Sequence, residues 1–310
     1  MRTAINSPDA PSVPSLSCHG IPLDTSPECF GFLRSSEAGS SDTRTLRERM
    51  QEDGYLYLPG LLDREKVRAT RLRALKILAE DGVMDERFPL EDGLLRRNTE
   101  VAYRPRVFQK LSELRTVLYS GAMMAFFRGF LGGDVLHFDY TWFRTKGRGP
   151  GTLPHCDIVY MGRGTRQLYT AWTPYGDLSL EQGGLIILEN SHRQQQRLRR
   201  YLERDVDAYC VNRPPNKQTP DGKGFDGALS QNAATLREHL GGRWLTAEFR
   251  MGDVLIFTMG TVHAGLDNST DRIRLSSDSR YQLASEPADE RWIGENPIAH
   301  GPNAKKGLIC

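Results

Sequence analysis

At Val135 the apolar residues change from a helical period to a strand period, and this change constrains the fold more than any other feature of the sequence. Leu136, Phe138, Tyr140 and Trp142 alternate with other residues and so share one face of an extended segment. Further strand candidates follow at 166–173, 184–188, 253–257 and 273–283, separated by the turn clusters KGRGPG, YGDL, EQGG and LDNSTD. Upstream the pattern is mostly helical. TLRERMQEDG reads as a short helix stopped at Gly54, YLYLPGLL as a strand, and Asp63 as the N-cap of a helix from Arg64 to about Glu80. A second helical region covers 107–131 and breaks at Gly121. A helical layer followed by many short strands predicts a mainly β protein, a sandwich or barrel with flanking helices. Hydrophobic residues make up 38 % of the 310-residue chain, enough for one large domain or two small ones.

Residues 1–41, rich in Ser and Pro, read as an arm without fixed structure; the alternative is an ordered arm docking through Cys29-Phe30-Gly31-Phe32-Leu33. A single domain then spans 42–310. Near 194–245 it is interrupted by a helix, RQQQRLRRYLERDVDAY, and an irregular loop, NRPPNKQTPDGKGFDGALSQN. That loop reads equally as a lid over a pocket or as a surface excursion.

Charge and composition exclude several function classes. With 41 basic and 39 acidic residues, the net charge of +2 offers no footprint for nucleic acid or an anionic membrane. No apolar run approaches the roughly 18 residues of a spanning helix. The opening MRTAINSPDAPSVPSLS lacks the apolar core of a signal peptide. No glycine-rich phosphate loop follows a strand. Five cysteines, an odd number without a CxxC pair, argue against a disulfide framework or a cysteine zinc site and for a reducing, cytoplasmic setting.

Candidate chemistry begins at His155-Cys156-Asp157. Residues i and i+2 of a strand face the same way, so the imidazole and carboxylate converge while Cys156 faces away. Alone, the pair reads as readily as a hydrogen-bonded His–Asp in a turn. A third donor, His263, closes GDVLIFTMGTVH. Two imidazoles and a carboxylate on one face of a metal leave three positions open, which suits non-heme Fe(II); the same donors could hold zinc. Eleven residues after His263 comes Arg274, with Ser276 following as Arg-x-Ser. By period two, Arg274, Ser276, Asp278 and Arg280 share a face. Inside a barrel such a face suits a carboxylate, which a guanidinium fork engages with two hydrogen bonds. The alternative is a solvated outer face.

In order along residues 46–283, QEDGYLYLPGLLDREKV, LPHCDIVY, LYTAWTPYGDLSLEQGGLIILENSHR, GDVLIFTMGTVHAG and the Arg274 strand resemble the phytanoyl-CoA dioxygenase-like family of Fe(II)/2-oxoglutarate oxygenases. The resemblance implies a double-stranded β-helix (jelly-roll) core. It implies iron on His155, Asp157 and His263, and the distal carboxylate of 2-oxoglutarate on Arg274 with Ser276 assisting. Trp172 matches a tryptophan lining the cosubstrate pocket. Tyr140 and Arg144 lie on a strand bordering the pocket, as contacts to cosubstrate or substrate. Fe(II), 2-oxoglutarate and O₂ would together hydroxylate a small-molecule C–H bond, releasing succinate and CO₂. The retained Asp157 favours hydroxylation over halogenation. Desaturation, cyclisation or epimerisation of a secondary metabolite is the alternative within this chemistry; outside it stand a non-catalytic metal- or ligand-binding jelly roll and a zinc hydrolase. The chain departs from the common pattern at Cys156, often Gln, and at Glu189-Asn190, usually Pro-Gly. His192, His137, His239, His19 and His300 are expected to be packing or surface residues.

Overall fold

The computed structural model describes residues 14–37, 42–214 and 224–310. Three short strands, β1 (Ser17–Cys18), β2 (Ile21–Pro22) and β3 (Phe30–Phe32), precede α1 (Thr43–Asp53), β4 (Tyr55–Leu58) and α2 (Arg64–Glu80). Then come α3 (Pro105–Phe108), α4 (Ser112–Tyr119), α5 (Gly121–Leu131), β5 (Val135–His137), β6 (Trp142–Lys146), α6 (Ile158–Met161), β7 (Tyr169–Pro174) and β8 (Leu185–Leu188). The last third holds α7 (Gln195–Leu202), β9 (Ala208–Cys210), α8 (Ala233–Leu240), β10 (Trp244–Thr246), β11 (Val254–Thr258), β12 (His263–Gly265), β13 (Arg274–Leu283) and β14 (Lys306–Leu308).

The helix boundaries follow from local chemistry. The Asp63 carboxylate accepts from the Glu65 and Lys66 amides and opens α2. Gly54 ends α1 at φ +76°, its N–H returning to the Met50 carbonyl. A side chain at Gly54 would strike the His192 ring, with a Cβ only 2.3 Å from Nδ1. His192 in turn bonds the Gln51 carbonyl through Nε2. It is a packing residue, as expected.

A six-stranded sheet runs β4-β11-β7-β13, and the far edge of β13 pairs with β6 over Arg274–Asp278 and with β5 over Tyr281–Leu283. A four-stranded sheet, β12-β8-β10-β3, forms the second layer. Period two divides the apolar residues of these strands. Trp172, Ile187, Leu245, Leu255 and Phe257 form the core that also holds Tyr55 and Phe249. Ala171, Val254, Ile256, Leu275 and Tyr281, on the opposite face, pack with Leu46, Leu75, Leu114 and Phe127 of the helical layer. Beyond the smaller sheet, Ile186, Leu188, Trp244 and Ala264 pack with Leu198 and Leu202 of α7 and Leu236 and Leu240 of α8. Each Val, Leu, Ile or Phe among them contributes about 1.5–3 kcal/mol on burial.

Three expectations change here. The single strand through 135–142 is split: Asp139 and Tyr140 turn their N–H groups to the Trp292 carbonyl between β5 and β6. The arm is ordered from residue 14 to 37, because β3 extends the smaller sheet by parallel pairing with β10 and buries Phe30 and Leu33; residues 1–13 and 38–41 lie outside the described residues. Finally, Cys210 and Cys310 form a disulfide across 100 positions. Parallel pairing of β9 with β14 aligns Leu308 with Cys210 and brings the two cysteines together, a contact that CxxC spacing does not report. Cys18, Cys29 and Cys156 are buried thiols.

Within the 194–245 insertion, α7 and α8 cover the smaller sheet, whereas Asp226 and Ala228 reach the central cavity; residues 215–223 of its loop lie outside the described residues. No helix among the described residues is long and apolar enough to cross a membrane. If the arm belongs to the core, Phe30→Ala should cost about 3–5 kcal/mol in a denaturant titration. An arm hanging free would leave the midpoint unchanged.

Candidate active site

The His155 and His263 segments form an isolated antiparallel bridge, each N–H donating to the other's carbonyl at 3.0 Å. His263 opens β12 and is also paired with Ile187 of β8. Gly151 makes the approach of these segments possible, since a Cβ there would lie 1.9 Å from the Gly265 carbonyl oxygen. The bridge sets the imidazoles side by side, with ring centres 4.2 Å apart. Asp157 joins them by a route other than strand alternation. It has helical backbone angles, φ −63° and ψ −25°, and precedes α6, so a turn swings its carboxylate toward the histidines. Cys156 faces away, its thiol near the Gly260 carbonyl.

Second contacts fix the orientation of all three donors. His155 Nδ1 lies 2.7 Å from the Leu153 carbonyl and His263 Nδ1 3.1 Å from the Thr261 carbonyl. A carbonyl only accepts, so each Nδ1 carries the proton and each Nε2 presents a lone pair. These Nε2 atoms lie 3.8 and 3.7 Å from Asp157 Oδ1. One donor atom from each residue can be chosen so that all lie within 4.8 Å of one another, and all three residues are buried. Asp157 Oδ2 is occupied by the Thr170 hydroxyl and by Arg280 Nη2 at 2.9 Å. Burial, helped by neighbouring His263, pushes the His155 imidazole down to about 3. Burial also lowers His263, against the pull of Asp157. Burial alone would raise the Asp157 carboxyl, but Arg280 and the two imidazoles outweigh it and hold the group well below the usual carboxylate range. At neutral pH the three groups therefore present two neutral imidazoles and a carboxylate, a donor set that can hold a divalent metal with no protons to displace.

A second group of polar side chains comes from β13 and its neighbours. Arg274, Ser276, Asp278 and Arg280 lie in register with Lys146, Arg144 and Trp142 of β6 and with Trp172 and Thr170 of β7. Asp278 accepts from Arg144 Nε at 2.6 Å, and Arg280 pairs with Asp157. Arg274 is only 2 % exposed and has no carboxylate within ion-pair distance among the described residues. Lys146 stands directly opposite it. Burial, and then Arg144, push the Arg274 guanidinium down to about 10. The buried Ser276 Oγ and Trp172 Nε1 also lack hydrogen-bond partners among the described residues. An unpaired buried guanidinium with an orphaned hydroxyl and indole N–H nearby is complementary to a carboxylate, so the residues fit a diacid held beside a metal.

His155 and Asp157 open onto a cavity of about 350 Å³ whose wall includes Trp142, Arg144, Tyr160 and Arg280, whereas His263, Arg274, Ser276 and Trp172 do not line it. Three remote segments add His19, Asp226 and His300 to this wall. His19 and His300 are exposed, as expected of surface residues, and they also line the cavity mouth; His300 Nδ1 is 2.8 Å from buried Asp207. No spacing in the sequence announces them, because the arm and the last strand bring them in from both ends. Tyr140 stands behind the wall: its ring packs edge-on against Trp142 and Trp292, with centres 4.8 and 5.4 Å away. The break between β5 and β6 puts it there. Sequence reasoning placed Arg280 on the correct face but assigned it no role, and it missed Thr170.

Facing sheets, a His–Asp–His donor set and a buried cation for a diacid define a non-heme iron, 2-oxoglutarate-dependent dioxygenase. Residues 50–276 match the family model described as phytanoyl-CoA dioxygenase (PhyH), and the chain belongs to that family. The family uses Fe(II), 2-oxoglutarate and O₂. Among solved structures, the chain is similar to the 2-oxoglutarate-dependent carbocyclase SnoK of nogalamycin biosynthesis (TM-score 0.54, 18 % identity, 83 % of this chain and 89 % of that one). It is also similar to the epimerase SnoN from the same biosynthesis (0.53, 20 %, 84 % and 93 %). A third likeness is to EctD from S. alaskensis, solved with 2-oxoglutarate and 5-hydroxyectoine (0.53, 15 %, 96 % and 98 %). At these identities the likeness is one of fold, the expected jelly roll. No curated protein matches the chain in sequence.

The histidine shifts carry a pH consequence. An imidazole lowered on folding leaves the unfolded chain binding more protons below about pH 6.5, so stability falls as pH drops toward the folded value. Metal-free protein should lose about 1 kcal/mol per pH unit from His155 between pH 6 and 4. Urea unfolding across that range should show a shallower slope in His155→Gln; identical slopes would place His155 in a solvated setting.

Proposed function

We propose that the chain hydroxylates a C–H bond of a small-molecule substrate. His155, Asp157 and His263 hold Fe(II), and Arg274 grips the distal carboxylate of 2-oxoglutarate. The observation that carries this reading is Arg274 itself: a buried guanidinium with no carboxylate in ion-pair distance among the described residues, on the same strand as the arginine that holds Asp157. A buried cation left unpaired is costly, and a bound diacid removes that cost. Ser276 Oγ and Trp172 Nε1 supply donors to the same diacid, and Lys146 adds positive charge opposite Arg274. Iron, 2-oxoglutarate and O₂ supply the oxidising power, with succinate and CO₂ as co-products.

The protein's part is binding, orientation and exclusion of water. Arg144, fixed by Asp278, lines the cavity without swinging into it. The rings of Trp142 and Tyr160 give the wall an apolar part beside the donors, while His19, Asp226 and His300 offer polar contacts to a substrate. Asp157 fills the third ligand position and leaves no place there for a halide.

Arg274→Ala should raise the 2-oxoglutarate concentration needed for half-maximal succinate release by roughly 100-fold, the worth of a lost bidentate charged pair. Arg274→Lys should recover only part, since an ammonium lacks the fork. Wild-type affinity in Arg274→Ala would remove that residue from the site. Over a substrate panel, mass spectrometry should show a product heavier by one oxygen; loss of two hydrogens, or an isomer of unchanged mass, would overturn hydroxylation.

A further inference from the structure

Arg280 lies six residues beyond Arg274 on β13 and is equally buried. Its Nη2 donates to Asp157 Oδ2 at 2.9 Å. Two further elements hold its guanidinium in place. The Trp142 ring of β6 lies beneath it, 4.6 Å from Cζ to the ring centre, and Met161 Sδ of α6 lies 3.2 Å from Nε. Across β7, the Thr170 hydroxyl donates to the same Oδ2. One carboxylate oxygen thus receives two donors from two strands, while Oδ1 faces the two imidazole nitrogens.

We propose that Arg280, aided by Thr170, is a positioning residue that restricts Asp157 to ligation through Oδ1 alone. This rests on the reading of His155, Asp157 and His263 as the iron ligands. A carboxylate with both oxygens free can grip a metal with two; here the second oxygen is saturated by hydrogen bonds. Three single donors leave three positions of an octahedron, the number that a chelating 2-oxoacid and O₂ together require. Release of Oδ2 would place a fourth protein donor in competition with them. Arg280 also fixes the orientation of the Asp157 carboxylate, so that Oδ1 stays turned toward the imidazoles.

Anaerobic Co(II) titration of the full chain tests this, with visible ligand-field absorption reporting affinity and coordination number and 2-oxoglutarate added to the loaded protein. Arg280→Met should weaken Co(II) binding roughly 10- to 100-fold and alter the spectrum, as loss of an outer partner to a ligand does. Its 2-oxoglutarate binding should weaken as well, and Arg280→Lys should restore part of each effect. Thr170→Val, which keeps the ion pair and suits a strand, should move the spectrum in the same direction by less; it also serves as the reporter if Arg280→Met does not fold. Wild-type Co(II) affinity and spectrum in both variants, with Asp157→Ala losing the metal, would overturn the role of Arg280 and leave the iron site standing. Wild-type Co(II) binding in Asp157→Ala would bring down the iron site itself.

Discussion

A single ten-residue strand, β13, carries two arginines and an aspartate on one buried face, and buried charges are tolerated only in partnership. Asp278 is matched by Arg144 across β6, and Arg280 by Asp157 from the turn before α6. Arg274 is left with Lys146 opposite it and, among the described residues, no carboxylate within ion-pair distance. Like charges directly across a strand pair repel, so this end of the face is complete only when it holds an anion. The fit to an anion is thus a property of the charge pairing, and the candidate metal donors lie at the other end of the same strand's reach.

Much of this was legible because period two is strict. The alternation on β7, β11 and β13 separates the Trp172, Leu255 and Phe257 face from the Ala171, Ile256 and Leu275 face. Both faces of these strands are buried, so one sheet serves two cores and the apolar residues alone do not reveal which core is which. The charged residues of β13 break that tie. Asp157 was found for an incomplete reason: His-x-Asp spacing suggested strand alternation, whereas a helical turn makes the convergence. Spacing alone does not report the turn, which is set by the αR backbone angles of Asp157.

What remained hidden depends on contacts far apart in sequence. The Cys210–Cys310 bond, the docking of β3 beside β10, and the arrival of His19 and His300 at the cavity all join chain ends to the middle. Neither composition nor periodicity encodes such pairings. Tyr140 shows the converse error, where good alternation was extended through a break made by backbone bonds to Trp292.

Part of the cavity wall is built from segments that carry none of the candidate metal donors. His155, Asp157, His263 and Arg274 all fall within the span 50–276 that defines the family. His19 and His300 lie outside that span, and Asp226 lies in the insertion between α7 and α8. Parallel pairing of β9 with β14, the disulfide and the Asp207 contact to His300 fasten the C-terminal wall. A wall anchored independently of the metal donors can change its polar contacts while the donors stay fixed. Arg280 is the exception: it follows the family span, yet it touches a metal-site carboxylate and lines the cavity at once. A change there would alter donor geometry and cavity shape together, which makes Arg280 the point where the two halves of the design are coupled.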